Sequence, residues 1–252
     1  CVLDRWRLMA PKDMETLRTN GIIFIDRKAV RGYGETTVDW RRLLKVGIGG
    51  IKKEAEEALA KLDDAVPGDL EKSFFYRAEI MVADAVIHLA HRHAELAEQK
   101  AAECADPARK AELLKIAEVC RWVPEHPART FYEACQSILS YEYACYMEQN
   151  ASSYNLGRLD QYLYPYYKAD KAAGILTDDD AQELLDCLFV KFNDKNKVRD
   201  DISAQAFAGY QMFELIALGG TDEEGNDLTN EMSYMCLDAL AHVGMPMPSV
   251  GS

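Results

Sequence analysis

The sequence predicts a helix-rich α/β protein, and three observations support this fold class. Apolar residues recur with the helical period through most of the chain, most clearly over residues 70–104. Short apolar runs without that period, at residues 21–26 and 213–218, have the length of buried strands. Helix start and stop signals separate these segments. Helices alternating with short buried strands are typical of the α/β class.

The first half of the chain is predicted to contain one strand and three helices. After the run at residues 21–26 comes a Gly-rich turn at residues 31–36, and helical periodicity then extends from about Val38 to Leu62. Pro67 and Gly68 break this periodicity before the long helix at residues 70–104. Asp106 is a suitable N-cap and Pro107 a suitable first residue for the next helix, which ends by residues 123–124.

The second half is predicted to contain four further helices and one strand. One helix covers about residues 128–149, and a shorter one follows residues 157–158. A capping box at residues 177–180 starts an amphipathic helix. Its predicted buried stripe is Leu184, Leu185, Leu188, Phe189 and Phe192. After the strand at residues 213–218 and a turn at 219–226, a last helix covers about residues 231–242, and the chain ends as an extended segment begins.

The charge of the chain argues against two classes of partner. The formal net charge is -13, whereas nucleic-acid phosphates and anionic membrane surfaces attract clustered Lys and Arg. The sequence also has no apolar run that could span a bilayer and no signal peptide at its start. We therefore expect a cytoplasmic protein that binds neither nucleic acid nor membrane.

The cysteines predict reduced, structural thiols. There are seven, an odd number, scattered without a CxxC pair, which fits a reducing compartment better than a disulfide framework or a zinc site. The chain lacks an initial Met and stops at an incomplete element, so we expect a piece of a longer protein.

Two polar segments are candidate binding sites. Glu35 lies in the Gly-rich turn, where its carboxylate could bind polar groups or act as a base, and a simple tight turn fits equally well. The loop at residues 150–158 offers amide and hydroxyl groups from Asn150, Ser152 and Ser153, which suit hydrogen bonding to a small polar ligand. Capping and turn formation would explain the same loop.

Two other groups of residues favour structural interpretations. His88 and His91 share a helix face, but a two-histidine metal site needs further ligands that the sequence does not supply nearby. The tyrosines at positions 162, 164, 166 and 167 are expected to form a core or interface face.

Several segments resemble the glycyl radical enzymes of the pyruvate formate-lyase-like superfamily, particularly the dehydratase and lyase branch. The resemblance is strongest over residues 116–134 (IAEVCRWVPEHPARTFYEA) and continues through 157–167 (GRLDQYLYPYY) and 181–193 (AQELLDCLFVKFN). It resumes at residues 219–220 and 229–238 (TNEMSYMCLD). These segments occur in the family's order and cover most of the chain.

The resemblance implies a fold, a chemistry and a partner. It implies part of a ten-stranded α/β barrel, in which a glycyl radical oxidises a loop cysteine to a thiyl that takes hydrogen from the substrate. An iron-sulfur, S-adenosylmethionine-dependent activase installs the radical. The family's Gly-Cys-x-Glu loop and its C-terminal Arg-Val-x-Gly-Tyr motif are absent from residues 1–252. We therefore expect a partial domain that binds no cofactor directly, contains no catalytic residue and is inactive alone.

The resemblance also implies substrate-binding positions. Glu35 falls where relatives place a substrate-contacting His or Asp. Asn150, Ser152 and Ser153 match a loop that binds substrate, and Phe207 and Phe213 match pocket-wall positions.

The expected function is to shape the pocket for radical C–O or C–N cleavage of a small polar substrate, with a homodimer as the possible assembly. Two alternatives remain: a non-catalytic helical interaction or structural module derived from this fold, and a metal-binding helical protein that uses His88 and His91.

Overall fold

The computed structural model describes residues 20, 36–63, 65–149, 153–195 and 214–251. Within these ranges the helices are α1 (Trp40–Leu59), α2 (Asp69–Glu103), α3 (Pro107–Trp122), α4 (Phe131–Gln149), α5 (Leu159–Ala172), α6 (Asp178–Asn193) and α7 (Glu231–Val243). The strands are β1 (Thr36–Thr37), β2 (Tyr154–Asn155), β3 (Leu215–Ala217) and β4 (Ser249–Gly251). The predicted strand at residues 21–26 lies outside the described residues.

All four strands run parallel. β1 pairs with β2, and β3 pairs with β4. A parallel bridge between Gly157 and Ile216 joins the two pairs, so the strands lie side by side in chain order. Helices connect successive strands, as parallel pairing requires. The prediction of a helix-rich α/β fold is confirmed.

One face of this short sheet is covered by helices. Leu156 and Ile216 are fully buried in the main hydrophobic core. Leu215, which lies between the buried Glu214 and Ile216, points to the other face of the sheet and is 46% exposed. Burying each large aliphatic or aromatic side chain contributes about 2 kcal/mol, so the helix-covered face dominates the stability of this region. The helices supply most of the core: Trp40, Leu43, Phe131, Ile138, Leu159, Leu163, Leu185, Phe189, Phe192 and Met232.

Helix α1 is interrupted where the sequence predicts an unbroken helix. Asp39 caps its start by accepting a hydrogen bond from the amide of Arg42 (3.1 Å). At Gly47 the backbone turns to φ 68° and ψ 170°. The amides freed by this turn are used elsewhere: those of Ile48 and Gly49 donate to carbonyls of the turn that follows α3 (2.8 Å each). Only glycine adopts this conformation without strain.

Helix α2 packs through small side chains, although its sequence also carries large apolar ones. Phe74 and Phe75 are 61% and 65% exposed, and its buried residues are mainly alanines. Ala94 and Ala97 pack with Ala117 and Cys120 of α3 in a second small core. Alanines let two helix backbones approach closely, which explains why they form the contact in place of the larger residues.

The remaining helices follow the sequence closely. Thr177 and Asp180 form the predicted capping box, and the predicted stripe of α6 is buried except for the half-buried Leu184. The start of α4 is capped from a distance, because buried Asp170 accepts a hydrogen bond from the amide of Phe131 (2.7 Å). Tyr167 is buried, and the other three tyrosines of that run pack against the core, as expected.

The six described cysteines are free thiols, as predicted. Cys120, Cys135 and Cys236 are buried, and burial raises the pKa of each thiol, that of Cys120 to about 11. Cys1 lies outside the described residues. Among the helices of the described part, none combines the length and apolar character needed to cross a membrane.

Replacing Gly47 should test the interruption of α1. A Cβ at this position would clash with the carbonyl oxygen of Glu125, in addition to the strain of the positive φ. We expect Gly47→Ala to lower the free energy of unfolding by more than about 3 kcal/mol in urea denaturation. Gly174 is the matched control, because it also has a positive φ (70°) but open space around its Cα. Gly174→Ala should cost only about 1 kcal/mol, and equal losses would contradict this account.

Candidate functional site

Ser153 is the predicted site residue that the structure describes. It immediately precedes β2 and is 7% exposed. The other five predicted positions lie outside the described residues: Glu35, Asn150, Ser152, Phe207 and Phe213. Several of these positions come shortly before a strand in the sequence, since β1 begins at Thr36, β2 at Tyr154 and β3 at Leu215.

A buried charge cluster lies next to the start of β3. The ammonium of Lys195, just after α6, lies 2.7 Å from a carboxylate oxygen of Glu142 in α4 and 2.5 Å from one of Glu214. All three side chains are at most 4% exposed. The cluster therefore connects α4, the end of α6 and the residue that precedes β3.

Aromatic rings surround this cluster. The hydroxyl of Tyr146 lies 3.3 Å from Oε1 of Glu214, and its ring lies 4.9 Å from the Lys195 ammonium. The ring of Phe192 is 5.0 Å from the same ammonium on another side. Tyr154, the first residue of β2, packs edge-on against Tyr146 with 4.8 Å between ring centroids. This apolar surrounding strengthens the electrostatic interactions within the cluster and makes an uncompensated charge costly.

The carboxyl groups of the cluster are strongly perturbed. Burial, followed by the nearby Glu142, raises the pKa of Glu214 to about 9, although the Lys195 ammonium opposes the shift. Burial also raises the pKa of Glu142, again against the attraction of Lys195. Burial raises the pKa of the Tyr143 hydroxyl to about 12 and that of Tyr146 further still.

The sequence does not predict this cluster as a group, although two of its members occupy unusual positions in the chain. Glu142 lies in an otherwise apolar and aromatic helical segment, and Glu214 is the one charged residue of the apolar run at residues 213–218. Both are positions where an ionised side chain needs a partner. Lys195 carried no such signal, because its polar neighbours resemble a solvated helix end.

The polar groups at the carboxyl end of β3 form hydrogen bonds with one another. Buried Asp160 accepts from the amide of Gly219 (2.8 Å) and from the hydroxyl of Ser233 (2.5 Å). Arg158 donates to the carbonyl of Gly219 (2.5 Å). These contacts fasten the starts of α5 and α7 to the end of β3. The polar groups at this edge therefore serve the fold.

The structure does not assemble the metal site considered for α2. His91 lies 3.3 Å from a carboxylate oxygen of Glu125, which pairs α2 with the turn that meets Gly47. Within the described ranges, no group of three or more His, Cys, Asp or Glu side chains is arranged to hold a metal ion. His91 is thus accounted for by a structural contact.

Removing the cation of the cluster should be strongly destabilising. Lys195→Met would leave two buried carboxyl groups without a positive partner, and we expect it to lower the free energy of unfolding by about 3–5 kcal/mol. Lys115→Met is the control, since Lys115 forms a solvent-exposed pair with Glu118. The control should show no measurable change in urea denaturation. A Lys195 variant as stable as the control would mean that the buried pairs contribute nothing.

Comparison with known proteins identifies the family. Residues 2–251 match the sequence model of the family described as "Pyruvate formate lyase-like". Isethionate sulfite-lyase from Bilophila wadsworthia is 40% identical over 217 residues, which cover 85% of this chain and 26% of that protein. The chain thus spans about a quarter of the length of the curated relatives it matches.

Solved structures agree in fold. The B12-independent glycerol dehydratase from Clostridium butyricum, in its glycerol-bound form, aligns with a TM-score of 0.83 and 42% identity, covering 87% of this chain and 28% of that one. A glycyl radical enzyme from Archaeoglobus fulgidus aligns with a TM-score of 0.84 and 33% identity, covering 94% and 30%. The chain therefore belongs to the pyruvate formate lyase-like family of glycyl radical enzymes.

Proposed function

We propose that this chain is a segment of a glycyl radical lyase or dehydratase and that it forms part of the wall of the substrate pocket. The reaction would be radical cleavage of a C–O or C–N bond in a small polar substrate. Family membership and the lyase and dehydratase names of the relatives support this class of reaction. The whole domain would be the ten-stranded α/β barrel, to which residues 1–252 contribute a part.

The observation that carries this proposal is the order of the strands. Glu35 immediately precedes β1, Ser153 immediately precedes β2, and Phe213 lies two residues before β3. Because these three strands are parallel neighbours, residues at their amino ends belong to one edge of one sheet. Three candidate positions that are far apart in sequence are thereby expected to converge on one place.

Each candidate has a role that fits its chemistry. The Glu35 carboxylate would bind a substrate hydroxyl or cation, and the amide of Asn150 and hydroxyls of Ser152 and Ser153 would hydrogen-bond the substrate's polar groups. Phe207 and Phe213 would supply apolar pocket wall. Ser153 is the member of this set that the structure describes, and its burial beside β2 is consistent with an enclosed polar contact.

The chemistry itself would come from outside residues 1–252. The thiyl-forming cysteine loop and the radical glycine would belong to other parts of the complete protein. An activase that uses an iron-sulfur cluster and S-adenosylmethionine would install the radical, and this chain would bind no cofactor directly. We further propose a cytoplasmic enzyme, with a homodimer as its assembly.

The substrate-contact role of this edge can be tested in the full-length protein that contains this chain, activated anaerobically by its activase. Glu35→Ala and Ser153→Ala should each raise KM by about tenfold to a hundredfold, the cost of losing a hydrogen bond to a substrate group. Ser140→Ala is the control, because Ser140 lies on α4 and hydrogen-bonds Gln136. The control should leave KM unchanged.

Electron paramagnetic resonance separates this role from a failure of activation. Variants that keep the full glycyl radical signal but lose substrate affinity support the pocket assignment. Unchanged kinetics in both variants would refute it. A full-length protein that forms no radical and converts no alcohol, amine or sulfonate would favour the alternative of a non-catalytic structural or interaction module.

A further inference from the structure

The cluster of Glu142, Lys195 and Glu214 is unbalanced in charge. Two carboxyl groups share one ammonium, and each of the three side chains is at most 4% exposed. Of the described groups that act on the two carboxyls, Lys195 alone is cationic. If all three side chains were ionised, the cluster would carry one net negative charge in a nearly water-free environment.

The described groups around the cluster do not correct this imbalance. The rings of Tyr143 and Tyr146 lie 5.8 and 4.9 Å from the Lys195 ammonium, and Tyr154 packs against Tyr146. Burial raises the pKa of each hydroxyl, so all three stay neutral at physiological pH. Asp194, beside Lys195 in the chain, is itself anionic and pairs with Lys191 at 2.8 Å. Among the residues that the structure describes, these neighbours add no positive charge.

A bound proton removes the imbalance at low cost. The interior stabilises an ion pair but strongly disfavours an unmatched charge, and two carboxylates that share a site do not both ionise. We propose that Glu142, Lys195 and Glu214 form a buried proton-binding site, which retains one proton at neutral pH and holds the start of β3 against α4 and the end of α6. The proton belongs to the group of three, because the carboxyls titrate together.

The proton is shared between the two carboxyl groups, because burial raises the pKa of both Glu142 and Glu214. Burial, followed by the adjacent Glu142 carboxyl, raises the pKa of Glu214 to about 9. With one of the two carboxyl groups protonated, one carboxylate remains for one ammonium. The backbone of Glu214 also joins β4, since its carbonyl accepts from the amide of Ser249 (2.8 Å). The protonated cluster thus stabilises the place where β3 and β4 start.

The site makes stability depend on pH in a defined direction. In the unfolded chain both carboxyls ionise near their ordinary pKa, whereas the folded chain keeps one proton up to about pH 9. The folded state therefore binds one proton more throughout this interval. The unfolding equilibrium constant should rise about tenfold for each pH unit from roughly pH 5 to pH 9 as the contribution of this site, and level off above it.

Infrared spectroscopy of the native chain detects the proton directly. At pH 7 we expect the carbonyl stretch of one protonated carboxylic acid, which disappears with a midpoint near pH 9. Both Glu214→Gln and Glu142→Gln should abolish this band, because one remaining carboxylate suffices for Lys195. Glu133→Gln is the matched control: Glu133 is equally buried, but Arg129 already balances it at 2.5 Å. The control should keep the band.

Each outcome decides the proposal. Absence of the band at pH 7, or its persistence in Glu214→Gln, would overturn it. If the band persists in Glu142→Gln and is lost in Glu214→Gln, burial alone protonates Glu214 and the proton is not shared with Glu142. This outcome also contradicts the three-residue site. Should a variant fail to fold, the band in the unaltered chain and its pH midpoint still give the answer. In urea denaturation, Glu214→Gln should flatten the pH dependence by one proton relative to Glu133→Gln. None of these measurements depends on catalytic activity.

Discussion

The described structure depends on covering one face of a short parallel sheet with helices. Strands of two or three residues form few ladder hydrogen bonds, so the sheet does not hold its own register. Side chains from the helices supply the missing contacts. The Trp40 indole donates to the carbonyl of Asn155 (3.2 Å), and Asn193 exchanges two hydrogen bonds with the backbone of Met247 (2.5 and 3.2 Å). Contacts from α1 and α6 thus help to position β2 and the segment that leads into β4.

The sequence predicts the helices well because their signals are local. The capping box of Thr177 and Asp180 and the Asp106-Pro107 start lie within four residues of the helices they begin, and the apolar stripe of α6 is read from its own period. The strands are harder to predict. β1 and β2 contain two residues each, too few for alternation to appear, and they form only because distant segments pair. The interruption at Gly47 was missed for the same reason, since its cause is a turn that follows α3.

The buried cluster could not be predicted from local sequence signals either. Its members come from positions 142, 195 and 214, and no spacing rule connects them. Glu142 and Glu214 were recognisable as charges in apolar surroundings, but their shared partner was not. The resemblance, in contrast, supplied candidate pocket positions that residue chemistry alone could not separate from turns. Glu214 of the cluster and Ser153 of the candidate positions lie at the same edge of the sheet, directly before β3 and β2.

That edge is not the one that a general rule for parallel sheets favours. Open α/β sheets usually bind ligands beyond the carboxyl ends of their strands. Here the carboxyl end of β3 is occupied by Asp160, Arg158 and Ser233, whose polar groups bond to the backbone or to one another. At the amino ends, Ser153 and Glu214 are buried polar residues that directly precede β2 and β3. Burying a polar group costs free energy unless the group is hydrogen-bonded or paired with an opposite charge. The burial of these two residues at this edge supports the proposals that ligand binding and proton binding occur side by side there.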